Sequence, residues 1–417
     1  MRANGTVREE NRMMRSTVNS GVGSRLRGLV GATLVLFAAA CSQAPSGDPP
    51  VDTTPVAPAP TASTQAAGAV EQAAAEQAKK QLDQRKVDYG EALRSAALKL
   101  VGDLPTLAEI KAVEANGKVA YEKAVDAYLA DPRFAARMVR FFRDTFKTGG
   151  DGKFDGAALF AASVVVQDRP YTDLFTATTG TCPTFDAATG TFTPGDCANT
   201  PSVGVLNDAG LMQQYYSNLA FRRVRFVQET FACAKFPAEI SSAPVQMGAG
   251  AYTSPWKFDS ITGGAAAKVN FQDTTSVVCA NCHTTLNHQA PLFAFFDEQG
   301  KFTPGSIQVK VPVSGSPTAA LSDWLPEGQQ QFFWRNGGAP VSDLAGLGRE
   351  MAKDPTVQAC AVNRVWNWGL SRGDIVGDLA TIPDVVTKDL VTDFAANGFK
   401  LKRVIRNVFT ADDFVKY

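Results

Sequence analysis

The residues with the most distinctive chemistry are Cys279-Ala-Asn-Cys282-His283. Two thiols three residues apart on one helical turn can each add to a vinyl group of a haem, and the imidazole that follows can coordinate the iron from the same side. The pattern reads as a covalent haem c site, with Cys279 and Cys282 as thioether anchors and His283 as proximal ligand. Three readings compete with it: a structural Cys279–Cys282 disulfide, a thioredoxin-like redox pair and a zinc site. The redox pair usually occupies a βαβ context that this sequence lacks, and zinc needs two further ligands from a chain with two His in all.

A sixth iron ligand has few candidates. His288 lies five residues beyond His283, too close for one short segment to place two imidazoles on opposite faces of a macrocycle. A thioether sulfur is the alternative. Beyond residue 40 the methionines are Met138, Met212, Met247 and Met351. Met247 sits in the Gly-rich stretch Pro244-Val-Gln-Met-Gly-Ala-Gly, where backbone can approach a ring closely, while Met351 falls in an ordinary helical pattern. An open iron would permit peroxide chemistry instead.

Covalent haem attachment belongs outside the cytoplasm, and the N-terminus reads as an export signal. Residues 1–27 hold six Arg against two Glu, and thirteen uncharged residues follow from Gly28 to Ala40. As a helix these rise about 20 Å, short of the roughly 30 Å hydrocarbon core. Ala38-Ala39-Ala40-Cys41 resembles a bacterial lipobox, in which the cysteine is acylated and becomes the new N-terminus. The alternative is a simple cleaved signal with an incidental cysteine. The whole chain has 41 basic and 41 acidic residues, and removal of six Arg and two Glu with residues 1–40 leaves 35 and 39. No broad basic surface is available for nucleic acid.

Ser42 to Thr64 contains six Pro in 23 residues and reads as an extended tether. Gln65 to Lys86 is rich in helix formers without an apolar face, so it is a solvated helix or more spacer. From there the pattern is helical. Leu93, Ala96, Ala97 and Leu100 share one face, Thr106 to Glu109 forms a capping box opening a helix through Val113, and Tyr121 to Leu129 gives another. Asp131-Pro132 starts Phe134 to Phe146, on which Arg133, Arg137, Arg140 and Arg143 read as a solvated stripe. Residues 149–200 read as irregular, with a hairpin-like insertion between Cys182 and Cys197, a pair expected to form a disulfide in an exported protein. Asn207 to Lys235 reads as helix, Ser306 to Val313 as a strand, and Asp354-Pro355 as the start of a helix through Trp366 and Trp368. Helices over Asp384 to Phe394 and Leu401 to Val408 close the chain. Cys233 and Cys360 are the remaining thiols and the expected second disulfide.

The stretch from Cys279 through Phe296-Asp297-Glu-Gln-Gly300 resembles the haem-motif segment of planctomycete-type cytochrome-c-associated domains of unknown function. Cys279, Cys282, His283, Phe296, Asp297 and Gly300 match, and Asn287-His288 stands where those domains carry Asp-Pro. Leu93 to Phe146, Asp168 to Thr176, Arg222 to Cys233 and the tail from Arg364 are similar to other parts of the same group. The resemblance implies cytochrome-like haem binding at the cell envelope and brings no substrate with it.

The expected fold is mainly α, a multi-helix globular region with a cytochrome c-like haem-motif segment and a small β element behind a lipoprotein signal and tether. The expected divisions are 1–40 (signal peptide), 41–86 (lipidated Cys41 and tether), 87–240 (helical, with the disulfide-bearing insertion) and 241–417 (helical, with the haem motif). The leading function is electron transfer by an envelope-anchored c-type haem protein, a carrier more than an enzyme. It would meet a membrane through its lipid, as an outer-membrane lipoprotein, and a redox partner protein through its surface. A surface binding or scaffold lipoprotein with an oxidised Cys279–Cys282 staple is the alternative, and a haem peroxidase a further one. No phosphate loop and no hydrolase-type carboxylate cluster is present.

Overall fold

A computed structural model describes residues 73, 76–150, 152–217, 220–235, 285–286, 289–304, 332–334 and 339–417. Residues 76–83 are helical and largely solvent-facing, as the composition of that stretch suggests. The signal, Cys41, the Pro-rich tether and the expected strand Ser306–Val313 lie outside the described residues.

Local capping chemistry sets the helix starts. Helix α1 (Tyr89–Leu100) begins where Asp88 accepts a hydrogen bond from the Glu91 amide at 3.0 Å, and it buries Leu93, Ala96, Ala97 and Leu100 completely. Helix α2 (Leu107–Ala130) opens on the expected capping box: the Glu109 amide donates to Thr106 Oγ1 at 3.2 Å and the Thr106 amide donates to Glu109 Oε2 at 2.7 Å. It is broken at Gly117, whose φ of 54° and ψ of −128° suit glycine alone, so two helical halves exist as the pattern indicates. Asp131 caps α3 (Pro132–Phe146), with Pro132 in the first turn. The arginines of α3 are individually engaged: Arg133 with Asp131, Arg137 with the Lys99 carbonyl, Arg140 with Asp144, and Arg143 with Asp155.

Two expectations are corrected. The stretch 149–200 contains a regular helix, α4 (Gly156–Val166), whose residues Ala157, Ala158, Phe160, Ala161, Ala162, Ser163, Val164 and Val165 are all buried. It is apolar on every side, so it shows no period to betray it. The span Asn207–Lys235 is not one helix. After α5 (Asp173–Thr176), helix α6 (Ala209–Gln214) is capped by Asp208, and α7 (Phe221–Phe231) starts afresh after Ala220 takes a left-handed conformation at φ 57°.

The insertion is a hairpin as expected. Strands β1 (Thr184–Asp186) and β2 (Thr191–Thr193) pair antiparallel with Phe185 opposite Phe192, and Cys182–Cys197 closes its base. The second small sheet pairs β3 (Phe332–Phe333) with β4 (Pro340–Val341). Helices α8 (Leu344–Lys353), α9 (Pro355–Gly369), α10 (Asp384–Ala396), α11 (Leu401–Thr410) and α12 (Asp412–Val415) complete the mainly helical body, and Asp354 caps α9 as its sequence foretells.

One buried apolar cluster draws on both sides of residue 240. Helix α11 packs on α2 and α4, and α9 packs on α7. The ends of the folded body meet as well, with Lys86 and Tyr417 exchanging backbone hydrogen bonds at 3.1 and 2.9 Å. The Tyr121 hydroxyl donates to the Phe409 carbonyl at 2.5 Å across the same junction. Among the described residues, no helix is long and apolar enough to cross a membrane.

Candidate functional site

Cys279, Cys282, His283, His288 and Met247 lie outside the described residues, as does Cys41. What is described is the foundation on which the segment following Cys279–His283 is mounted. It begins at α7, whose apolar face carries Val224, Phe226, Val227 and Phe231, all buried. On that same face stands Arg223, 0% exposed.

A guanidinium in such a place must spend all its donors on protein acceptors. Arg223 Nε and Nη2 donate to the Met212 carbonyl at 3.0 and 2.8 Å. Nη1 donates to the carbonyls of Phe293 and Phe296 at 3.0 and 2.9 Å, and Nη2 to that of Asp297 at 2.7 Å. The rings of Tyr216 and Phe296 each lie 5.5 Å from the guanidinium carbon. Burial lowers the Arg223 pKa to about 10, opposed by the nearby Tyr216 and Asp297, and the side chain stays charged at neutral pH. The charge is therefore held against carbonyl dipoles of residues 293–297, just downstream of His283.

Two further buried polar groups hold the same stretch. Gln289, 0% exposed, accepts from Gln228 of α7 at 3.1 Å and donates to the carbonyls of Phe333 and Trp334 at 3.3 and 2.7 Å. Asn199 donates to the Gly300 and Asn207 carbonyls at 2.8 and 2.9 Å and accepts from the Phe302 amide at 2.8 Å. Between them Asp297 Oδ1 accepts from the amides of Gln299 and Lys301 at 2.9 and 2.8 Å, making a closed turn. Gly300 completes it at φ 74°, where a Cβ would stand 2.0 Å from the Ala209 carbonyl oxygen. Phe296, Asp297 and Gly300, which the resemblance groups with the haem motif, thus work as an anchor and turn.

The cysteines sort clearly. Cys182 is bonded to Cys197 and Cys233 to Cys360, with Cα separations of 5.0 and 5.5 Å. Of seven cysteines these consume four, which leaves Cys41, Cys279 and Cys282. Among the described residues one group could hold a metal by proximity, Cys182, Cys197 and Asp208, whose ligand atoms lie within 4.8 Å of one another. Its two sulfurs are bonded to each other and offer no thiolate. Burial pushes the Asp208 carboxyl up to about 6 against the hydrogen bonds from Leu211 and Gly210. Met138, Met212 and Met351 are buried in the helical core.

Sequence reasoning missed Arg223, Gln228, Gln289 and Asn199. The signal for Arg223 was its position three and four residues before Phe226 and Val227; the two glutamines and the asparagine carried none.

Residues 70–173 match the model of a family described as PSCyt2, a protein of unknown function (DUF1549). The matched region runs through α1 to α4 and ends before the Cys279–His283 motif. No curated protein and no solved structure matches the chain.

Proposed function

We propose that this chain is a c-type haem protein held at the bacterial cell envelope by an acylated Cys41, and that it transfers electrons to or from a redox partner protein. The observation that carries the reading is the pairing of the other cysteines. With Cys182, Cys197, Cys233 and Cys360 joined in two disulfides, the two thiols of the haem motif are left together beside His283. Two disulfides also fit an oxidising compartment, where covalent haem attachment takes place.

In this reading Cys279 and Cys282 form the thioether links and His283 is the proximal ligand, a donor set that suits haem c. The bound haem supplies a one-electron iron couple. The chain's own work is mechanical. Arg223, Gln289 and Asn199 fix the backbone of residues 289–302, which follow His283 in sequence. Met138, Met212 and Met351 are packed in the core, and Met247 is the thioether that would supply a second protein ligand to the iron. A denaturing gel of exported protein, stained for covalent haem, tests the reading.

A further inference from the structure

The disulfide at the base of the β1–β2 hairpin has an acid beside it. The sulfurs of Cys182 and Cys197 and a carboxylate oxygen of Asp208 lie within 4.8 Å of one another. Asp208 is 3% exposed and Cys197 8%, while Cys182 is half-buried and so the more accessible of the two cysteines. The first residue of α4 closes on this group. A Cβ on Gly156 would stand 2.5 Å from Asp208 Oδ2 and 3.8 Å from Cys182 Sγ, so the missing side chain is what lets the helix start come this near. Asp155 at the head of α4 makes no capping side-chain bond, its carboxylate being held by Arg143 at 3.0 Å. The positive end of the α4 dipole therefore lies beside the disulfide.

Such surroundings favour a sulfur that leaves as a thiolate, and those of the other disulfide do not. The buried Thr181 hydroxyl donates to Cys197 Sγ at 3.3 Å. Beside Cys233 and Cys360 Sγ stand instead the carbonyl oxygens of Cys360 and Thr230, at 3.7 and 3.6 Å, the negative ends of dipoles that would repel a thiolate. Exposure does not separate the pairs, since Cys233 is half-buried and Cys360 buried. Burial lifts the Asp208 carboxyl to about 6, where it can hold a proton and give it up near neutral pH. Charged groups on the neighbouring elements are engaged elsewhere: Asp155 with Arg143, Asp196 with the Gly180 amide, and Lys153 over the Phe154 ring.

We propose that Cys182–Cys197 is a redox-active disulfide that exchanges with an external dithiol, with Asp208 as proton donor to the departing Cys197 sulfur. A thiolate of the dithiol attacks Cys182 Sγ and forms a mixed disulfide. The Cys182–Cys197 bond breaks, and Cys197 Sγ leaves with the electron pair, receives the Thr181 hydrogen bond and takes the Asp208 proton. The second thiolate of the dithiol then attacks its own sulfur in the mixed disulfide, and Cys182 leaves and is protonated by water, which also returns the proton to Asp208. Two electrons and two protons pass from the dithiol, which departs as a disulfide, to the protein, which holds two thiols. The site does not depend on the haem reading.

Reduction of the mature, folded protein by dithiothreitol tests it, with the thiols trapped by alkylation over time and each cysteine quantified by peptide mass spectrometry. Cys182–Cys197 is expected to open at least about tenfold faster than Cys233–Cys360, the internal control of similar exposure. Asp208→Asn keeps the α6 cap and removes the proton, and is expected to slow the opening of Cys182–Cys197 by at least about tenfold while leaving Cys233–Cys360 at its wild-type rate. A change in overall stability would move both disulfides together. Opening of Cys182–Cys197 no faster than Cys233–Cys360 overturns the proposal. So does a wild-type opening rate in the Asn variant, or an equal slowing of both disulfides.

Discussion

Replacing Arg223 with Met keeps most of the volume of a fully buried side chain and removes its guanidinium. The carbonyls of Met212, Phe293 and Phe296 then lose the guanidinium donor, while that of Asp297 keeps the Gly300 amide at 3.1 Å. A stranded buried carbonyl costs about 1–3 kcal/mol, and local relaxation with water entry keeps each of these three near the low end, which gives a loss of about 3 kcal/mol. That is a large part of the roughly 5–15 kcal/mol of a typical folded protein. Arg223→Lys retains the charge with at most three donors on a single nitrogen and should recover less than half of the loss. Arg222→Met, next in sequence but exposed, should change stability by less than about 0.5 kcal/mol. Urea unfolding of the exported protein, followed by tryptophan fluorescence, reads all three, and limited proteolysis should show the region of residues 289–304 opening first in the Met variant. An Arg223→Met protein within about 1 kcal/mol of wild type would refute the reasoning that this guanidinium holds the segment behind the haem motif.

The remaining expectations are these. Burial lifts the Asp208 carboxyl from 3.8 to about 6, so between those pH values the folded state holds a proton that the unfolded state has released. Stability should therefore fall as pH rises through that window, by up to about 3 kcal/mol, and Asp208→Asn, which still caps α6, should flatten the profile in urea titrations at pH 4 to 7. Gly300→Ala places a Cβ 2.0 Å from the Ala209 oxygen at a positive φ, and a loss of at least about 2 kcal/mol is expected by the same unfolding assay. Removing the Cys233–Cys360 disulfide by paired Ser substitution should cost more than removing Cys182–Cys197. The loops they close span 127 and 15 residues, worth about 4.9 and about 3 kcal/mol in the chain-entropy treatment.

Much of the fold was legible because helix starts are local chemistry. Thr106 with Glu109, Asp131 with Pro132 and Asp354 with Pro355 each need a few neighbouring residues, and each caps the helix it announces. Disulfide partners followed from compartment and parity. Helix α4 was hidden for the opposite reason: a helix buried on all sides shows no amphipathic period. The break at Ala220 gave no warning, because a left-handed alanine is imposed by tertiary packing and no local preference requires it. Arg223 was the most consequential omission. Nothing local marks which of Arg222, Arg223 and Arg225 is buried, because the fate of the middle one depends on carbonyls that arrive from residues 293–297, some 70 positions away. The haem reading of Cys279–His283 rests on spacing, whereas the contacts that hold residues 289–302 are long-range and could be read from coordinates alone.

The measurement that bears most directly on the central claim is a haem-stained denaturing gel of the exported protein made alongside the haem maturation machinery. It is run with wild type and with Cys279→Ser/Cys282→Ser. The account predicts a peroxidase-stained band at the mature mass in wild type and none in the double variant, with both proteins folded by unfolding assay. A folded, colourless wild-type band would contradict it and leave Cys279 and Cys282 as a structural pair.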